Sequence, residues 1–270
     1  MSRFAAYEYE PFLAEYYDLI PDYAERRDRD FYVGYSQSAN GKTLELGCGT
    51  GRVLIPAAQT GCPIVGLDVS EYMLSKCREK LAAEPEDVQR RVRLVQADMT
   101  DFDLNERFAL VTMPFRPFQH LITTADQIAC LKRVRQHLAP GGRFILEVFQ
   151  TNAGRIHDEK YLKEVEDVPE FELPDGRKLR RTNRTAAFHR AEQYNDVEMI
   201  FYVTHPDGRA ERLVQAFPFR YFFRYEVEHL LARCGFEVVE LFGNFDKSPL
   251  TDDSPEMIFV AQARKQPESC

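Results

Sequence analysis

Nowhere does the sequence approach the ~20 consecutive apolar residues that span a bilayer, and its first twenty residues, MSRFAAYEYEPFLAEYYDLI, hold no signal-peptide core. A cytoplasmic chain that does not engage a membrane is the expectation. The six cysteines (Cys48, Cys62, Cys77, Cys130, Cys234, Cys270) form no C-x-x-C pair and suggest reduced, packed thiols. The six histidines form no H-x-H or H-E-x-x-H, so no metal is indicated. Basic residues are in deficit: 35 Lys and Arg against 43 Asp and Glu give a net charge of -8. That balance argues against a general grip on nucleic acid and favours a small-molecule partner. Internal repeats and low-complexity tracts are also absent.

What is present is the material of a sizeable core, with 44% hydrophobic and 29% charged residues over 270 positions. From Thr43 to Phe149, short β-branched or apolar runs alternate with amphipathic stretches, the sign of βα units around a parallel sheet. Strands are expected at 43–46, 63–67, 93–96, 108–112 and 143–149, the last after a Pro140-Gly141-Gly142 turn. Helices are expected at 51–59 and after Ser70, which caps a face of Met73, Leu74, Cys77 and Leu81. A late helix at 224–234 stops at Gly235, and strands at 237–242 and 256–263 follow.

Two regions break this alternation. Residues 1–40 are aromatic and acidic, with Phe12, Tyr16, Leu19 and Tyr23 roughly on one helical face, and suggest a helical cap over the sheet. Residues 151–222 alternate at period two, with Pro-Asp-Gly turns at 174–176 and 206–208, and suggest an antiparallel β insertion. The expected division is a cap at 1–40, a core of 41–150 and 223–270, and an insertion at 151–222 acting as a lid over a substrate. The insertion's exposed edge could dimerise, homodimers being the commonest oligomers.

The strongest chemical signal is Glu45-Leu46-Gly47-Cys48-Gly49-Thr50-Gly51, where the first strand turns into the first helix. Alternate glycines let the backbone pass close to a ligand and take φ values closed to other residues. A dinucleotide fingerprint needs its third glycine where Arg52 stands, which disfavours a Rossmann dehydrogenase. Glu45 would repel a pyrophosphate and suit a cationic ligand.

In these residues the chain resembles the class I S-adenosylmethionine-dependent methyltransferases, over 43–149 and 224–263, and within them the amino-sugar and glycine-type N-methyltransferases. The resemblance implies an α/β fold with a doubly wound, mostly parallel seven-stranded sheet. It also implies S-adenosylmethionine as cofactor and S-adenosylhomocysteine as product. Cofactor contacts are implied at Glu45, Gly47, Cys48, Gly49 and Gly51; at Asp68, seventeen positions beyond Gly51, for the ribose; and at Val69 and Met73. Ala97, Asp98 and Met99 would meet the adenine, and Met113, Phe118 and Tyr17 would complete the site. Met113 to Leu121 lacks the Asp/Asn-Pro-Pro-aromatic signature of enzymes acting on exocyclic amines of DNA bases or on glutamine amides. His120 and Tyr17 are the catalytic candidates, His120 orienting or deprotonating an N or O nucleophile during in-line displacement. Tyr16, Phe115 and Tyr221 are expected to enclose the acceptor. Arg181 and Arg184, in a basic run from 177 to 184, are expected to meet an anionic group on it, a solvated charged face being the plainer alternative. Arg52, at the start of the first helix, is placed to pair with the cofactor's methionine carboxylate, an exposed arginine being the plainer reading. Two other uses of the nucleoside site stand beside methyl transfer: transfer of another group or cyclisation of the cofactor, and a non-catalytic regulatory protein.

Overall fold

The computed structural model describes residues 10–24 and 26–264. Residues 1–9 and 25 of the expected cap, and 265–270 with Cys270, lie outside the described residues. The chain opens with helices α1 (Pro11–Tyr16), α2 (Pro21–Ala24) and α3 (Asp28–Ser38), then β1 (Thr43–Leu46), α4 (Leu54–Gln59) and β2 (Ile64–Asp68). There follow α5 (Glu71–Ala82), α6 (Glu86–Gln89), β3 (Val92–Gln96), β4 (Phe108–Met113), α7 (Thr124–His137) and β5 (Leu138–Phe149). After α8 (Ala153–Ile156) come β6 (Val165–Glu172), β7 (Lys178–His189), β8 (Tyr194–Thr204) and β9 (Ala210–Arg220). The chain closes with α9 (Arg224–Arg233), β10 (Phe236–Phe242) and β11 (Glu256–Ala263).

Two compact units result, one of residues 26–150 and 222–270 and one of residues up to 25 with 151–221. The single cap expected over residues 1–40 is therefore divided. Its aromatic residues bury against different partners: Phe31, Tyr32 and Tyr35 of α3 pack with Leu110, Ile145, Ile258 and Val260. Phe12 and Tyr16 instead lie 5.5 and 6.2 Å, ring to ring, from Phe201 of β8.

The first unit is a seven-stranded sheet in the order β10-β11-β5-β4-β1-β2-β3. β3, β2, β1, β4 and β5 run parallel, and β11 pairs antiparallel with both β5 and β10. The strand order reverses between β1 and β4, and in open α/β sheets ligands bind at the carboxyl ends of strands beside such a reversal. β1, β2 and β4 are buried almost throughout, as strands covered by helices on both faces must be. Ser70 Oγ accepts from Met73 N at 3.3 Å, the expected cap of α5. β5 begins earlier than expected: Leu138 pairs with Phe108, and Arg143 with Leu110. Pro140-Gly141-Gly142 is thus an irregularity within the strand, Gly141 taking φ 75°.

The second unit carries the antiparallel sheet β6-β7-β8-β9. Gly176 and Gly208, at φ 83° and 86°, close the turns before β7 and β9, each donating its N–H to a carbonyl three residues back at 2.9 Å.

Candidate functional site

β1 ends at Leu46, and the N–H groups of Gly47 and Cys48 both reach the Leu67 carbonyl, at 2.8 and 3.1 Å. This holds the loop across the end of β2. Gly47, Gly49 and Gly51 take φ of 71°, 53° and 81°, the left-handed region open to glycine. Their roles differ. A Cβ on Gly51 would stand 2.6 Å from Cys77 Sγ, and one on Gly47 2.7 Å from Pro117 Cβ, so these two permit close packing. A Cβ on Gly49 would meet nothing within 4 Å, so the open side of the loop lies there. Cys48 is buried, and burial pushes its thiol well above its ordinary pKa.

Asp68 closes β2. Its Oδ2 accepts from Gly49 N at 2.8 Å and its Oδ1 from Ser70 N at 2.9 Å. Burial raises its pKa, and these amide hydrogen bonds oppose the rise. Each carboxylate oxygen keeps further acceptor capacity. Glu45, buried on β1, has an Oε2 with no hydrogen-bond partner among the described residues. Its pKa is pushed up to about 8, first by burial, with Arg52 opposing and Asp28 and Asp68 adding. Asp98, after β3, forms a local turn by accepting from Thr100 N and Oγ1 at 2.8 and 2.6 Å. Val69, Ala97 and Met99 are partly buried. Met73, Met113 and Phe118 are fully buried, and Phe118 packs 5.6 Å from Phe222.

Beyond β4 the backbone turns sharply. Phe115 and Arg116 both take left-handed φ, 62° and 70°, a conformation that costs a non-glycine residue roughly 1–2 kcal/mol. A charged network holds them there. Phe115 N donates to Glu147 Oε2 at 3.2 Å, and Arg116 binds Glu256 through Nε at 3.1 Å and through Nη2. Arg26 bridges Glu147, Glu256 (2.9 Å) and Asp28 (3.0 Å), and Tyr32 OH donates to Glu147 at 2.7 Å. The Arg26 guanidinium also lies 5.0 Å from the Phe115 ring centre. His120 ends the 3₁₀ turn Pro117–His120 that follows, partly buried.

Arg52 corrects an expectation. It is not an exposed arginine, because both its terminal nitrogens bind the buried Asp28 at 2.6 Å in a bidentate pair. Sequence reasoning also missed Arg26, Asp28, Glu147 and Glu256. One signal was there to read: Glu147 is a lone acid inside the apolar strand Phe144–Phe149, and a buried acid needs a partner.

In the second unit, Tyr16 is buried and accepts from Arg177 Nη1 at 2.7 Å, and Tyr17 packs 4.9 Å from Tyr23. The basic run is charge-balanced. Arg181 is buried and forms a two-point pair with Asp167 at 2.9 and 3.1 Å, with Nη1 on Tyr23 OH at 2.7 Å. Arg184 pairs with Glu198 at 2.6 Å. Both arginines, expected to meet an anionic group on the acceptor, are here paired with carboxylates of the same sheet. Tyr221 OH lies 3.1 Å from His157 Nε2.

Residues 43–142 match the family described as a methyltransferase domain. Over 52% of this chain and 54% of its own length, the dTDP-3-amino-3,6-dideoxy-alpha-D-glucopyranose N,N-dimethyltransferase of Streptomyces fradiae is 32% identical. The solved CcbJ methyltransferase from Streptomyces caelestis superposes with a TM-score of 0.73 at 26% identity, covering 94% of this chain and 96% of that one. The glycopeptide N-methyltransferase MtfA, solved in complex with S-adenosylmethionine, superposes with a TM-score of 0.55 at 26% identity, covering 87% and 93%.

Proposed function

This chain is an S-adenosylmethionine-dependent methyltransferase, and from that premise we propose that it methylates a nitrogen or oxygen of a small molecule, with an amino-bearing ring as the first class to test. The observation that carries the cofactor assignment to particular residues is the buried Glu45 Oε2 without a donor, beside a loop whose open side is at Gly49. A buried acceptor in that position fits the cationic end of such a ligand.

When bound, S-adenosylmethionine supplies a methyl group activated by its positively charged sulfur. The protein's residues have four tasks around it. Asp68, anchored by the Gly49 and Ser70 amides, presents a carboxylate edge to the ribose hydroxyls. The Gly47–Gly51 backbone gives close approach, Glu45 balances positive charge, and the stretch from Ala97 to Met99 borders the base. Met113 and Phe118, buried in the core cluster of this unit, are proposed to complete the cofactor site. His120 orients the acceptor or takes its proton, which is needed for a hydroxyl and optional for a neutral amine. Tyr16 and Tyr17 belong with the insertion, whose proposed task is to recognise the acceptor.

We propose a cytoplasmic location on the strength of five buried free cysteines among the described residues. No helix among them is long and apolar enough to cross a membrane. A homodimer formed along an edge strand of the insertion, β6 or β9, is the assembly proposed. The test of function is incubation of the purified protein with S-adenosylmethionine and a panel of amino- and hydroxyl-bearing small molecules, dTDP-amino sugars included, read by product mass. A methylated acceptor together with S-adenosylhomocysteine is expected. A product carrying a different group, or S-adenosylmethionine bound without turnover across the panel, overturns the reading.

A further inference from the structure

Resting on the methyl-transfer reading, we propose that Asp28 is a positioning residue for the transfer. It gathers Arg52 of the cofactor loop and Arg26, which braces the turn after β4, onto one carboxylate, and so fixes where the cofactor's methyl group stands relative to that turn.

Asp28 opens α3, where the helix N-terminus favours a carboxylate, and α3 is anchored to the sheet through Phe31, Tyr32 and Tyr35. The carboxylate thus stands on a fixed element. It is fully buried with both oxygens engaged: Oδ1 accepts from Arg52 Nη1 at 2.6 Å, and Oδ2 accepts from Arg52 Nη2 at 2.6 Å and from Arg26 Nε at 3.0 Å. The two arginines lead to different places. Arg52 directly follows Gly51, so its two-point pair pins the outgoing end of the glycine-rich loop. Arg26 continues to Glu147 and, at 2.9 Å, to Glu256; these acids take the Phe115 amide at 3.2 Å and Arg116 Nε at 3.1 Å.

Loop and turn also touch directly. A Cβ on Gly47 would stand 2.7 Å from Pro117 Cβ, and the guanidinium groups of Arg26 and Arg52 lie 5.0 and 5.5 Å from the Phe115 ring centre. One phenyl ring is therefore shared by the two arginines that Asp28 gathers. Neither segment fixes this spacing by itself: glycines leave the loop permissive, and the left-handed φ of Phe115 and Arg116 is unfavourable without outside support. Asp28 supplies the constraint that both lack. In-line transfer needs aligned reacting atoms about 3–3.5 Å apart, and a misplacement of about 1 Å costs roughly 100-fold in rate. Asp28 is buried beneath its partners, so it acts through Arg52 and Arg26.

The test is the NMR signal of the methyl group of isotope-labelled S-adenosylmethionine bound to the full chain, with affinity read by calorimetry and folding by melting temperature. Asp28→Asn turns an amide donor toward two guanidinium groups; it is expected to hold the cofactor within about 10-fold of wild type while the bound methyl signal moves or splits. Arg26→Lys keeps the charge, but one ammonium cannot reach Asp28, Glu147 and Glu256 together. It is expected to move the signal as well, and it decides the matter where Asp28→Asn does not fold. Tyr35→Phe, which removes a 3.0 Å hydrogen bond to Glu240 elsewhere on α3, is expected to leave the signal in place. With an acceptor from the panel above, Asp28→Asn is expected to lower kcat about 10- to 100-fold and to change KM for S-adenosylmethionine less than about 10-fold. A wild-type signal or a wild-type kcat in the folded, cofactor-bound variants overturns the role of Asp28, as does an equal shift in Tyr35→Phe. Folded variants that no longer bind the cofactor overturn it too, because Asp28 would then serve binding and not position. A wild type that does not bind S-adenosylmethionine overturns the methyl-transfer reading itself.

Discussion

Cofactor binding by this protein is expected to expel a proton from Glu45. With a pKa pushed up to about 8 by burial, the Glu45 carboxyl is protonated in roughly nine of ten unliganded molecules at pH 7. A positive charge brought to about 4 Å is worth ~4 kcal/mol at an effective dielectric of 20, which lowers a carboxyl pKa by roughly 3. The carboxyl then ionises below pH 7, and S-adenosylmethionine binding releases close to one proton per site. Calorimetric titration at pH 7 in buffers of low and high ionisation enthalpy measures that number as a slope. The ligand's own α-amino group titrates near pH 8 and contributes equally to any variant, so the informative quantity is the difference from Glu45→Gln. A difference near 0.9 proton at pH 7, vanishing at pH 9, is expected on the same grounds. Stability carries the same sign. Unfolded, Glu45 loses its proton near pH 4.5; folded, it keeps it to about pH 8. The native state therefore holds the extra proton, and stability falls as pH rises across that window, by at most about 5 kcal/mol. Glu45→Gln should remove that decline. Tight S-adenosylmethionine binding with the same enthalpy slope in wild type and Glu45→Gln would refute the placement of Glu45 against the ligand's cationic end.

Other substitutions separate ligand contact from packing. Asp68→Ala is expected to weaken S-adenosylmethionine and S-adenosylhomocysteine about 100-fold or more, since the proposed charge-assisted hydrogen bonds to the ribose would go together with the anchor of the Gly49 amide; calorimetry decides. Gly51→Ala should cost about 2–4 kcal/mol in urea unfolding, because its Cβ combines φ 81° with a 2.6 Å approach to Cys77 Sγ. Gly49→Ala, facing open space, should cost only about 1 kcal/mol of stability yet weaken the cofactor at least 10-fold. Arg26→Met should destabilise by roughly 3–5 kcal/mol, because Asp28, Glu147 and Glu256 stay buried and lose a shared cation. Unchanged urea midpoints in that variant would remove the network's stabilising role.

The strands of the parallel sheet and the helices α4, α5 and α9 were legible in the sequence because each carries a local period and a local stop, whereas α6 and α7 were not singled out. Asp68 could be placed at a strand end for the same reason, and Ser70 as a cap. The residues that escaped are those defined by distant partners. Glu147 meets Arg26 across 121 positions and Arg116 meets Glu256 across 140. No local pattern announces such pairs. Arg52 read as exposed because arginine usually is, and only the buried Asp28 of α3 reverses that. The cap was divided for a related reason: aromatic spacing marks a face to be buried but not the surface that buries it.

These missed residues meet at the turn after β4. Two adjacent left-handed residues, neither of them glycine, are unfavourable wherever they stand, and they persist only where the surroundings over-determine them. Here Glu147 takes the Phe115 amide and Glu256 takes the Arg116 side chain, while Arg26 ties both acids together and lies against the Phe115 ring. The three arginines and three acids of this cluster, Arg26, Arg52 and Arg116 with Asp28, Glu147 and Glu256, satisfy one another's charge. Glu45 stands apart from that balance, with an oxygen that finds no donor among the described residues; in the insertion, Asn195 has an oxygen in the same condition. Both orphaned atoms are acceptors. A buried acceptor without a donor is costly, and at Glu45 the partner we propose is the positive charge of the cofactor. Methyl transfer needs two ligands, a cationic donor and a nucleophile that carries a proton or a lone pair on nitrogen or oxygen.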